Sequence, residues 1–154
     1  MRGERGLRSI KLTIRNEPAD LSVLRETLDR FGAEQGIPGK ALVALQVVID
    51  EIVSNVIKYA WPEGGVHEVL VSLAADDTAV QIEVVDDGRP YDPREAPAPV
   101  GAVPGSKPRL GGVGIHMVKR LMDGFEYERV NEYNCVRLTK RLHRRCEVAN
   151  RGAK

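Results

Sequence analysis

The segment from about Gly39 to Ala60 constrains the fold more than any other part of the chain. It follows Ile37-Pro38, stops at Pro62 and Gly64-Gly65, and carries Leu42, Leu45, Ile49, Ile52, Val53 and Val56 on one broad helical face. Ala44, Val47 and Val48 lie on the other side, so the helix is apolar nearly all round and both sides need a cover. Glu51 and Asn55, four residues apart, project from that second side with Lys58 beside them. An isolated pair of this kind is ordinarily a solvated face. On a helix this apolar, the expected cover is a bound ligand or a lid.

The remaining segments alternate between the two periodicities. Leu7 to Ile14 reads as a half-buried strand, and Leu21, Leu24, Leu28 and Phe31 then recur at helical spacing as far as Gly32 to Gly36. Val66 to Leu73 and Ala79 to Val85 read as a hairpin around Ala75-Asp76-Asp77-Thr78. A helix follows from Gly114 to Met122, striped by Ile115, Val118 and Leu121. Phe125 to Val130 and Cys135 to Leu142 close the pattern as strands around an Asn131-Glu132-Tyr133-Asn134 turn. Helices in a block and strands in hairpins predict a two-layer α+β sandwich, not a doubly wound parallel sheet. With 154 residues, 42% of them apolar, one core and one domain are expected, over 7–142, with a polar tail at 143–154.

Charge and cysteine usage narrow the functional classes. Twenty-three Lys and Arg against 22 Asp and Glu leave a formal charge of +1, which is no electrostatic footprint for nucleic acid. Cys135 and Cys146 lack metal-ligand spacing, and His67, His116 and His143 fall in separate segments, so no zinc site is expected. The basic start, Met1 to Arg8, leads into alternation and not an apolar signal core, and no uncharged apolar run approaches bilayer length. A cytoplasmic protein without a membrane segment is the expectation.

The candidate chemistry falls in three segments. An amide oxygen and a carboxylate one helical turn apart suit a nucleotide-bound magnesium ion, which takes hard oxygens and leans on phosphates and water for the rest. Asn55 would hold the metal, and Glu51 could accept a proton from a hydroxyl attacking the terminal phosphate. The strand ending at Val85 runs into Asp86-Asp87-Gly88, where a carboxylate can take the exocyclic amine of a purine and a glycine lets the ring approach. By itself that is an acidic turn. Gly111-Gly112-Val113-Gly114 opens a helix, where free backbone N–H groups and the helix dipole favour phosphate. No βαβ unit surrounds it, and Gly101 to Lys107 misses the P-loop spacing. Between the second and third segments, 87–112 holds six of the chain's nine prolines and five of its fifteen glycines, so it reads as a long functional loop without periodicity.

In this order the three segments resemble the N, G1 and G2 boxes of the GHKL ATPases. More narrowly, Asp50-Glu51 to Tyr59-Ala60-Trp61-Pro62, Asp86 to Pro93, Gly111 to Asp123 and Tyr127-Glu128-Arg129 look like the anti-sigma-factor serine/threonine kinase branch, over about Leu7 to Leu142. The resemblance implies the GHKL (Bergerat) fold, with a mixed, mainly antiparallel sheet. It implies Glu51 as the N-box acid, Asn55 as magnesium ligand, Asp86 as adenine acceptor with Gly88 in the same box, and Gly112 and Gly114 as phosphate-loop glycines. Tyr59 stands where relatives often carry His, and Lys107 and Arg109 fall in the segment that would form the ATP lid. The implied activity is ATP- and Mg2+-dependent phosphorylation of an anti-anti-sigma (STAS-domain) protein by an anti-sigma factor. A sigma factor as second partner and a homodimer are implied too.

Three rivals share the nucleotide boxes. A binding module would sequester a regulator without phosphotransfer, but it has no use for the acid at Glu51. A gyrase-type ATPase head would call for a further transducer domain, and a histidine-kinase catalytic domain would follow a long helical hairpin, which no segment here predicts.

Overall fold

The computed structural model describes residues 6–95 and 112–143. Its elements are β1 (Arg8–Arg15), α1 (Asp20–Gln35), α2 (Gly39–Tyr59), β2 (Glu68–Ala75), β3 (Ala79–Asp86), a 3-10 turn at Pro93–Glu95, α3 (Gly112–Leu121), β4 (Gly124–Val130) and β5 (Tyr133–Arg141). This is the order expected from periodicity.

The strands form one five-stranded sheet in the order β1-β2-β3-β5-β4. Every neighbouring pair runs antiparallel, so the mainly antiparallel sheet expected is antiparallel throughout. Period-2 alternation places Val69, Val71 and Leu73 of β2, Val80, Ile82 and Val84 of β3, and Val136 and Leu138 of β5 in the core. The helices supply the other layer, with Leu24, Leu28 and Phe31 from α1, Leu45, Ile49, Ile52 and Val53 from α2, and Ile115 and Val118 from α3. α1 packs on β1 and α2, and α3 packs on α2.

Local chemistry sets the breaks. Gly36 ends α1 at φ 61°, a left-handed conformation that glycine adopts without strain, and its N–H and that of Ile37 reach back to the carbonyls of Ala33 and Gly32. In the β2–β3 hairpin Asp76 Oδ1 accepts from the N–H groups of Thr78 and Ala79, at 2.7 and 2.9 Å. The β4–β5 turn is tighter than expected. Asn131 and Glu132 alone take positive φ, 46° and 68°, while Tyr133 and Asn134 already belong to β5.

The expected cover on the second side of α2 is also corrected. Ala44 and Val48 are buried, and α3 packs on α2 at Glu51, so part of the cover is the protein's own helix. Val43 and Val47 remain exposed. Lys107, Arg109 and Gly111 lie outside the described residues, as does the tail beyond His143. Among the described residues no helix is long and apolar enough to cross a membrane.

Candidate nucleotide site

The last two turns of α2 carry the polar centre of the site. Asn55 is buried and sends its Nδ2 to Glu51 Oε1 at 3.3 Å, one turn back along the helix. That bond occupies the nitrogen end of the amide and leaves Oδ1 as the atom available to a ligand, while Glu51 Oε2 has no hydrogen-bond partner among the described residues. A free, neutral amide oxygen beside a carboxylate fits a magnesium ion that takes its other ligands from phosphate and water.

Asn55 and Asp86 line one open cleft, whose walls include Ile52, Val56, Tyr59 and Tyr91. An apolar cleft with a few convergent polar groups is the usual form of a small-molecule site. Asp86, at the end of β3, is 4% exposed. Its Oδ1 accepts from Gly88 N and from Asn134 Nδ2, each at 2.9 Å, and its Oδ2 has no partner among the described residues. Burial pushes the Asp86 carboxyl above the ordinary carboxylate range, and the hydrogen bonds from Asn134 and Gly88 and the charge of Arg129 pull it partly back. The carboxylate is thus anchored through one oxygen and offers the other.

Gly88 serves a purpose that the sequence did not suggest. A β-carbon there would stand 2.6 Å from the carbonyl oxygen of Ala60, so the absent side chain lets the turn after β3 close against the end of α2. Arg89 N then donates to Ala60 O at 2.8 Å, and Arg129 Nη1 to Gly88 O at 2.8 Å. Trp61 seals the same corner, stacked on His67 with ring centroids 4.5 Å apart and donating from Nε1 to Asp87 Oδ1.

The glycines at the start of α3 complete the arrangement. Gly112 opens the helix, and Gly114 lies directly against Glu51, where a β-carbon would overlap the carboxyl group. Glu51 is therefore held between the amide of Asn55 and the first turn of α3. The structure brings Glu51, Asn55 and Gly114 together and joins Asn55 to Asp86 through the cavity. Farther along, Lys119 Nζ donates to Arg94 O at 2.7 Å and ties α3 to the 3-10 turn.

Asn134, a turn residue by local sequence alone, lies in β5 and is a further functional candidate. It faces Asp86 across the β3–β5 pairing, and only the strand register reveals that. Tyr91, on the cavity wall, was hidden in the same way inside a loop without periodicity.

Comparison with known proteins places the chain in a family. The family model described as a histidine kinase-like ATPase domain covers residues 14–140. Among curated proteins, the chain is 26% identical over 147 residues to the serine-protein kinase RsbW of Halalkalibacterium halodurans, a match covering 93% of this chain and 88% of that protein. It is 26% identical over 95 residues to the serine/threonine-protein kinase BtrW of Bordetella bronchiseptica, covering 62% of this chain and 67% of the relative. The crystal structure of the RsbU and RsbW domains of Rv1364c from Mycobacterium tuberculosis superposes with a TM-score of 0.62 at 18% identity, covering 88% of this chain and 32% of that longer one, a likeness of fold. The chain belongs to the histidine kinase-like ATPase domain family, within the GHKL superfamily, and its domain is accordingly an ATP-binding one.

Proposed function

We propose that the protein is an ATP-dependent serine/threonine protein kinase that acts as an anti-sigma factor, with an anti-anti-sigma protein of the STAS type as its substrate. The observation that carries the reading is the position of Glu51, bonded to Asn55 and set against Gly114. Asn55 opens into the cavity that Asp86 also lines. A carboxylate so placed stands at the phosphate end of a nucleotide whose base is held at Asp86. The relatives' names, serine- and serine/threonine-protein kinase, support the same reaction class.

In this reading Asp86 Oδ2 accepts the exocyclic amine of adenine, and the apolar residues beside it cover the ring. Asn55 Oδ1 would hold Mg2+, which when bound neutralises phosphate charge. The N–H groups at the start of α3, from Gly112 to Gly114, face the phosphates with the positive end of the helix dipole. Glu51 takes the proton of the incoming serine or threonine hydroxyl as its oxygen bonds to the terminal phosphorus and the bond to ADP breaks. The sigma factor as second partner and the homodimer belong to the same proposal and rest on the family resemblance, while the cytoplasmic location and the domain limits 7–142 with a tail at 143–154 rest on the sequence pattern.

The test is incubation with labelled ATP, Mg2+ and STAS-domain proteins from the same genome. Label should appear on a serine or threonine of one of them. Glu51→Ala should bind ATP while losing transfer by about 100-fold or more. Unchanged transfer by that variant would remove Glu51 from the role. Partner capture with ATP or ADP but without phosphoprotein would replace the kinase by a binding module.

A further inference from the structure

Asn134 has every hydrogen-bonding position of its side chain filled. A primary amide has two donor hydrogens and a carbonyl oxygen with two lone pairs. In Asn134, 4% exposed, Nδ2 donates to Asp86 Oδ1 and to Arg89 O, both at 2.9 Å. Its Oδ1 accepts from Tyr127 Oη at 2.8 Å and from Tyr91 N at 3.4 Å. The amide therefore has one satisfied orientation. Flipping it would set nitrogen against the Tyr91 N–H and oxygen against two acceptors, at the cost of unpaired buried groups.

Three of these four contacts act on the segment that forms one side of the cavity. Asn134 holds the Asp86 carboxylate and, through Arg89 O and Tyr91 N, both flanks of the turn that follows it. Tyr127 on β4 supplies the fourth and fixes the amide from behind. Both hydrogen bonds to Asp86 fall on Oδ1, so the arrangement selects which carboxylate oxygen is left over.

We propose that Asn134 is the positioning residue of the nucleotide pocket: backed by Tyr127, it fixes Asp86 so that Oδ2 alone is presented to the base, and it pins the turn that walls the site. This rests on Asp86 being the base-recognising group. Asn134 acts through Asp86 and the turn, and no contact of its own with the nucleotide is required.

The test measures Mg-ATP affinity of the full chain by calorimetry across pH, for wild type, Asn134→Asp, Tyr127→Phe and Asp86→Ala. Wild-type affinity should fall as pH is lowered, because protonating Asp86 removes an acceptor. In Asn134→Asp both donors are lost and a second carboxylate faces Asp86, so affinity at about pH 8 should drop by about tenfold or more. It should then rise as pH is lowered towards about pH 5, because a proton shared by the carboxyl pair restores one donor. This inversion of the pH slope is the signature, and a merely structural role would not produce it. Tyr127→Phe should weaken ATP binding by about 3- to 10-fold with an unchanged pH slope. A wild-type slope in Asn134→Asp overturns the proposal, and if that variant does not fold, unchanged affinity in Tyr127→Phe does so instead. Asp86→Ala separates the underlying reading. Retained ATP binding there shows that Asp86 does not hold the base, whereas lost binding there together with a wild-type slope in Asn134→Asp removes Asn134 alone.

Discussion

Gly114 and Glu51 occupy adjoining space so closely that a β-carbon on the glycine would overlap the carboxyl group of the acid. The glycine in the first turn of α3 thus has a steric reason to be there, apart from any part its N–H plays toward phosphate. α3 and α2 meet at this point, and the candidate catalytic carboxylate is placed by the contact.

Gly114→Ala should therefore displace Glu51. Phosphotransfer is expected to fall by about 100-fold, since small misplacements of a catalytic group cost about that much. In the double variant with Glu51→Ala the loss should be no greater than for Glu51→Ala alone, because both changes remove one function. Additive losses, read from single-turnover transfer, would show that Gly114 acts independently of Glu51.

The Asp86 carboxyl gives a pH prediction whose sign can be worked out. Burial raises it above the ordinary value of 3.8, so between that value and the raised one the folded chain holds a proton that the unfolded chain has released. Asp86 therefore contributes a stability that is fully present below the ordinary value and is lost as pH rises through the folded-state one. Asp86→Asn, which keeps an acceptor for Gly88 and Asn134, should melt higher than wild type at neutral pH and lose that advantage in acid, while ATP binding disappears. Melting curves across pH would check it, and a variant less stable than wild type at neutral pH would contradict it.

Gly88→Ala tests the packing role assigned to that glycine. The new methyl would press on the carbonyl of Ala60, 2.6 Å away, and on the hydrogen bond it receives from Arg89 N. A destabilisation of about 1–3 kcal/mol is expected by denaturant unfolding, typical of a forced fit in a packed region. A neutral result would mean that the turn after β3 gives way freely.

Asn55→Ala should separate metal dependence from nucleotide binding as such. Adding Mg2+ should tighten ATP binding in the wild type by about tenfold or more, equivalent to about 1.4 kcal/mol, and change it little in the variant. Equal magnesium dependence in both proteins, measured by calorimetric titration, would place the metal elsewhere.

Local periodicity and punctuation made the elements legible. Leu21, Leu24, Leu28 and Phe31 mark one helix face and Gly36 ends it, because helical spacing and a left-handed cap depend only on neighbours in the chain. Glu51 and Asn55 could be paired from sequence for the same reason, being one turn apart on one helix. The burial on one face of β2 likewise follows from alternation within a single strand. Where a segment lacks a period, as from Asp87 onward, Tyr91 could not be given a place.

What the chain determined by itself is the order of its elements, the face each one buries, and the neighbourhood of Glu51 with Asn55. What only the tertiary structure decided is which distant groups meet: Asn134 on Asp86, Gly88 on Ala60, Gly114 on Glu51. Asn134 and Asp86 are 48 residues apart and become neighbours because β5 inserts between β3 and β4 in one register. Alternation shows which side of a strand is buried, but it contains nothing about the strand beside it. That choice is made by the packing of the whole core, where hydrogen-bond registers and side-chain volumes from every element have to be satisfied together.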